Sequence, residues 1–169
     1  TLSLLFATTL SAQVAIGKAT VSSPAVSLEF YDNADNTRGI ILPWVTNTAA
    51  VTGAVNGTIV YNTADRKVYV KYASGWRDLS VDNTGTVTTT LQDSLTDQDT
   101  AKVLIGGDPA TDTTPGILVL ADTNKAMVLP KVASPHLNIV NPSPGMIVYD
   151  TTKKQLAVFN GTVWSFWKP

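Results

Sequence analysis

Gly57-Thr58-Ile59-Val60-Tyr61-Asn62-Thr63 decides the fold because it occurs twice. It returns 88 residues later as Gly145-Met146-Ile147-Val148-Tyr149-Asp150-Thr151. The shift holds on either side. Val14-Ala15-Ile16-Gly17 matches Val103-Leu104-Ile105-Gly106 at 89, and Trp76 matches Trp164 at 88. Asp35, Leu42, Pro43 and Val45 match Asp122, Leu129, Pro130 and Val132 at 87. Small drifts of this kind are what loop insertions leave behind. The chain is a duplication, and repeated units bury a continuous core by stacking on one another.

Each repeat reads as β structure. Thr58–Asn62 alternates as a strand, and Asn62-Thr63-Ala64-Asp65-Arg66 is turn chemistry. Lys67–Tyr72 sets Val68, Val70 and Tyr72 on one face, with Tyr69 and Lys71 on the other. Ala73-Ser74-Gly75 turns the chain into a third strand at Trp76–Leu79, which completes a meander. The second copy repeats the plan through Met146–Tyr149, Gln155–Phe159 and Trp164–Trp167. Its turn Asn160-Gly161 is the strongest hairpin signal, since a two-residue turn there asks for φ > 0 at both positions. Upstream, Val26, Leu28 and Phe30 alternate with Ser27 and Glu29, the pattern of a half-buried strand. Gly39-Ile40-Ile41-Leu42 and Met127-Val128-Leu129 are short apolar strands stopped by Pro43 and Pro130.

The expected fold class is therefore all-β, with two tandem, internally duplicated small antiparallel β modules. Each has a three-stranded meander plus extra strands. Module one covers 14–80, a polar linker covers 81–102, and module two covers 103–169. Residues 1–12 form a separate leader. A module of about 65 residues hides only about 60% of its unfolded surface. With no cysteine there is no disulfide to compensate. The modules are expected to finish their cores on each other or on another chain.

The leader Leu2-Ser3-Leu4-Leu5-Phe6-Ala7-Thr8-Thr9-Leu10 followed by Ser11-Ala12-Gln13 has the h-region and cleavage end of a secretory signal, without its basic start. The alternative is a retained apolar strand, donated to a neighbour through Leu4, Leu5 and Phe6. Export fits the absence of cysteine and a surface polarity carried by Thr, Asn, Ser and Gly. The expected location is secreted, at a bacterial cell surface.

Composition excludes several classes. Twelve Lys+Arg against thirteen Asp+Glu give a net charge of −1, and no basic run follows phosphates, so nucleic acid is not an expected partner. The only histidine is His136, which has no counterpart in the first copy and no G-x-S-x-G or cysteine nucleophile to serve. A hydrolase reading has nothing else behind it, and the expectation is no enzyme, no catalytic residue and no cofactor. Asp32-Asn33-Ala34-Asp35-Asn36 has calcium-loop oxygens without the spacing or the later bidentate Glu, so no metal is expected there. Gly106-Gly107-Asp108-Pro109 lacks the Gly-Lys-Ser/Thr of a phosphate loop. Asn56-Gly57-Thr58 and Asn160-Gly161-Thr162 match the glycosylation sequon, but both sit on tight turns. Asp35…Arg38 and Asp122…Lys125 suggest a local ion pair in each copy. Trp76 and Trp164 are equivalent and read as core. Trp44 faces Lys131 in the other copy, and Trp167 lies in the final strand, read as exposed. These two, with Tyr69, are the expected contact residues for a partner chain or a glycan.

Taken in order, the leader, Val-Ala-Ile-Gly, Gly-Ile-Ile-Leu-Pro, Gly-Thr-Ile-Val-Tyr-Asn-Thr and Phe159-Asn160-Gly161-Thr162-Val163-Trp164 resemble secreted surface proteins of Bacteroidota bacteria. Those often begin Gln-Val-Gly-Ile-Gly and carry a Leu-Ile-Pro stretch and a Val-Tyr-Asn-Thr…Tyr-Asn-Gly-x-x-Trp hairpin. Similar modules resemble pieces of phage tail fibres and large adhesins. Ala15 stands where those proteins usually have Gly, and Tyr72-Ala73-Ser74-Gly75-Trp76 replaces the Asn-Gly turn in the first copy. The resemblance implies a structural subunit of a fibre, adhesin or appendage that acts by homo-oligomeric β assembly, as trimers or filaments, with no catalytic residues to carry over. A glycan- or surface-binding module is the alternative, with other surface proteins or glycans as partners.

Overall fold

The computed structural model describes residues 13–98 and 100–168, and the leader lies outside them. The fold is all-β. In chain order the first copy holds β1 (Val14–Ile16), β2 (Val26–Phe30), β3 (Ile40–Ile41), β4 (Trp44–Val45), β5 (Ile59–Asn62), β6 (Lys67–Tyr72) and β7 (Gly75–Asp78). The second holds β8 (Val103–Ile105), β9 (Leu118–Leu120), β10 (Ala126–Val128), β11 (Lys131–Val132), one helical turn α1 (Pro135–Asn138), β12 (Met146–Asp150), β13 (Gln155–Phe159) and β14 (Trp164–Trp167).

Each copy builds its meander in the same register. β5-β6-β7 and β12-β13-β14 are antiparallel, with Ile59 opposite Val70 and Ile147 opposite Val158. On the outer edge of each lies a short parallel strand. β4 pairs Trp44 with Tyr61, and β11 pairs Lys131 with Tyr149, the equivalent rung. The strands ahead of the meanders also pair in parallel: β1 with β2, and β8 with β9. Crossover loops rather than hairpins join these strands, and the arrangement is consistent with a β-solenoid-like course.

The two copies exchange strands. β3 of the first copy joins the first half of β12, with Ile41 opposite Met146 and Ile40 opposite Ile147. β11 occupies the second half of the same edge. In return, β10 of the second copy lies parallel to β2, with Met127 opposite Leu28. β2 is thus the centre strand of an all-parallel sheet, flanked on both edges. This corrects the half-buried reading of Val26–Phe30. Val26, Ser27, Leu28 and Glu29 are all buried, because a strand in a parallel sheet is covered on both faces.

Among the described residues two apolar clusters form. One belongs to the second copy: Val132, Ile139, Met146, Val148, Ala157 and Phe159, with Trp164 against it. The other spans both copies and joins Tyr61, Val68 and Leu79 of the first to Ile147 and Val158 of the second. The equivalent inward faces of the two meanders share this second core.

Asn160-Gly161 does turn the chain, but not as a two-residue hairpin. Phe159 pairs with Trp164, so four residues separate the strands. Only Gly161 takes a positive φ, of 103°. Asn160 instead accepts the Thr162 and Val163 N–H groups at 2.9 and 2.8 Å through its side-chain oxygen. The competing device is a side-chain-closed turn. The first copy has the two-residue loop, Ala73-Ser74 between Tyr72 and Gly75.

Candidate functional site

The chemistry of this chain is concentrated where the copies meet. Tyr61 is fully buried, and its hydroxyl donates to the Asn160 carbonyl at 2.8 Å. Burial pushes the phenol up to about 12, so it stays a donor throughout the neutral range. Gly145 packs on the ring so closely that a Cβ there would lie 2.8 Å from Tyr61 Cβ. The Trp44 indole tilts against the Tyr61 ring at 5.9 Å and donates to the Pro144 carbonyl at 3.0 Å. The Trp167 indole N–H donates to the Leu79 carbonyl, and the Ser165 hydroxyl to that of Ser80.

A charged network ties β2 to its surroundings. Glu29 is fully buried, with Lys18 Nζ at 3.0 Å. Burial alone would push its carboxyl up; the Ser22 N–H and the Lys18 ammonium together outweigh that and hold it below the ordinary glutamate range. Lys18 also reaches Asp32 at 3.1 Å, and Asp32 receives Lys131 of the second copy at 3.3 Å. Those two hydrogen-bonded ammonium groups hold Asp32 low. Ser27 donates to Asp122 at 2.9 Å, a second link between copies. Asp122 pairs with Lys125 at 3.5 Å as the sequence suggests, whereas Asp35 accepts the Tyr31 hydroxyl at 2.9 Å.

The turns after β5 and β12 use one device. Asp150 is buried and accepts N–H groups from Ser134, Thr152 and Lys153, at 3.1, 2.9 and 3.3 Å. Burial raises its carboxyl, but these donors win and keep it below the ordinary aspartate range. Asn62 fills the equivalent place and accepts the Ala64 N–H at 2.9 Å. An oxygen in that position, not a charge, is what the repeat retains.

The residues expected to make contacts lie as follows. Trp44 and Trp167 are half-buried, and both indole N–H groups are taken by backbone carbonyls. The reading of Trp167 as exposed is corrected: it packs on the core shared by the copies. Tyr69 is half-buried and donates to Asp65 at 2.6 Å; burial and that carboxylate push its phenol well up. Leu4, Leu5 and Phe6 lie outside the described residues. Trp164 packs on the second-copy core, but Trp76 is half-buried in a different setting, with Lys71 Nζ 6.0 Å from its ring. His136 is exposed on the helical turn and meets Phe166 edge-on at 5.7 Å. Among the described residues, no three acidic or histidine side chains group to hold a metal. Asn160 of the second sequon is fully buried, with its side-chain amide bonded to Asp82 and to its own turn.

Sequence reasoning missed Tyr61 and Glu29. Tyr61 and Tyr149 look alike in the alignment, yet one is fully buried and the other 36% exposed. Identical residues in different surroundings carry no sequence signal. Glu29 had one, a charge on an apolar strand, but alternation assigned it to solvent.

Residues 108–168 match a family described as "Phage tail like trimerisation region". The match covers β9 through β14. No curated protein and no solved structure matches the chain. The second copy is thus similar to a trimerising, phage-tail-like β module.

Proposed function

We propose that this chain is the structural subunit of a surface fibre, adhesin or appendage, and that it works by assembling with copies of itself into a trimer. The observation that carries the reading is the match of 108–168 to a trimerisation region. The strand exchange gives it a physical basis: the copies complete each other's sheets, and unpaired strand edges are templates for pairing with another chain. A structural subunit needs no catalytic group, and the matched family is described by a structural property.

The glycan-binding alternative would rest on the ring faces of Trp44 and Trp167, which are half-buried with their indole N–H groups bound to backbone carbonyls within the chain. Secretion and surface display belong to the same proposal and rest on the apolar leader 2–10 and its Ser11-Ala12 end. Mass spectrometry of the native protein's N-terminus tests export: a chain starting near Gln13 supports it, and one that retains the leader supports the donated strand instead. Light scattering on purified protein tests assembly. A stable monomer would contradict it.

A further inference from the structure

The pairing that joins copy one to copy two is used once, and half of it is left open at each end. In the first copy, Ile40 and Ile41 pair with Ile147 and Met146 of the second, and Ile40, Leu42, Trp44 and Tyr61 pack in one cluster with Ile147. Leu42 N–H donates to the Gly145 carbonyl at 3.1 Å. The equivalents of those five residues are Met127, Val128, Leu129, Lys131 and Tyr149. They line an open groove of about 350 Å³. The groove is the vacated form of the internal junction.

Its filler is also present, unused. Gly57, Thr58 and Ile59 are the equivalents of Gly145, Met146 and Ile147. Gly145 is buried, while Gly57 is exposed and, among the described residues, has nothing within 4 Å of a Cβ placed on it. β4 covers only Tyr61 and Asn62 of β5, so the edge at Thr58–Ile59 has no strand beside it among the described residues. Among the described residues β9 likewise pairs only with β8, and Leu118 on it is 47% exposed. The first copy's β2 is not left so: it holds β10 on that side. β3, the equivalent of β10, carries an Ile41 that is 51% exposed.

We infer that a second copy of this chain fills the groove, repeating the internal register between chains. Val128 then lies opposite the neighbour's Thr58, and Met127 opposite its Ile59. Leu129 N–H donates to the neighbour's Gly57 carbonyl. The neighbour's Ile40 and Ile41 lie parallel to Leu118 and Val119. The pairing is heterologous, copy two of one chain onto copy one of the next, so three chains close a ring if the rotation allows.

This inference rests on the proposed self-assembly and specifies its contact. The chain has no cysteine, so a double variant Thr58→Cys/Val128→Cys tests it directly. Ile41 and Met146 occupy the non-hydrogen-bonded rung next to Leu42–Gly145, where side chains approach most closely. The engineered pair would occupy the same rung. Under mild oxidation, disulfide-linked dimers and trimers are expected on a non-reducing gel, and neither single variant should give them. The control Ile41→Cys/Met146→Cys should close within one chain. A trimer by sedimentation without interchain disulfides would overturn the register and leave the proposed assembly standing. A monomer by sedimentation would overturn both.

Discussion

The Tyr61 hydroxyl and the Asn160 carbonyl meet at 2.8 Å inside the protein, 99 residues apart in the chain and on opposite sides of the duplication. The bond is buried, so its loss leaves a carbonyl that water does not reach. Tyr61→Phe keeps the ring and its packing on Trp44 and Gly145. It is expected to lower stability by about 1–2 kcal/mol. Tyr149→Phe, at the exposed equivalent, should change the isolated chain little. Urea midpoints compare the two, and equal shifts would show that the hydroxyl at 61 has no special role.

Asp150 and Asn62 serve the same turn with different charge. Asp150→Asn keeps the oxygen that Ser134, Thr152 and Lys153 share, and is expected to cost less than about 1 kcal/mol. Asp150→Ala orphans those donors in a buried turn, at a cost of about 2 kcal/mol or more. Thermal unfolding of the pair separates acceptor from charge. Equal losses would mean that the charge matters.

Glu29, Asp32 and Asp150 have folded values below their ordinary ones. The unfolded chain therefore binds these protons more readily, and their stabilisation is present above the ordinary values of 4.5 for Glu and 3.8 for Asp. It is lost as pH falls through the depressed folded values. Lys18 is raised by its hydrogen bond to Glu29, so its contribution holds below 10.5 and fades as pH rises further. The expected stability profile is flat through neutrality, with an acid limb below about pH 4.5. Glu29→Gln should flatten part of that limb, and an unchanged limb would remove Glu29 from the account.

Gly57 and Gly145 separate folding from assembly. Gly145→Ala would push a methyl into Tyr61 within the chain and is expected to destabilise the fold. Gly57→Ala meets nothing among the described residues. Its φ of 91° costs about 1–2 kcal/mol. In the inferred assembly the same methyl would meet Tyr149 of a neighbour, so Gly57→Ala should weaken self-association at least about tenfold. Sedimentation velocity over a concentration series reads that effect. Association as tight as in the unsubstituted chain would argue against the contact.

The meanders were legible in sequence because alternation, turn residues and a duplicate register all agreed at Thr58–Tyr72 and Met146–Phe159. The strand exchange was not. β3 and β10 are short, and nothing in Gly39-Ile40-Ile41-Leu42 says which copy it will join. Parallel pairing around β2 hid the burial of Glu29, since alternation assumes one wet face. The Asn160 turn was found but its geometry was not, because the Asn side chain closed it in place of a φ > 0 backbone. The contact surface was sought in tryptophans. Within the chain Trp44 and Trp167 bond across the two copies, and the residue equivalent to Trp44 is Lys131, beside the groove at Tyr149.

The mass of the purified chain in solution tests the central claim most directly. Sedimentation equilibrium across a micromolar concentration series should give a species of three times the 17.9 kDa chain mass. A single species of 17.9 kDa throughout that range would contradict the assembly on which the whole reading rests.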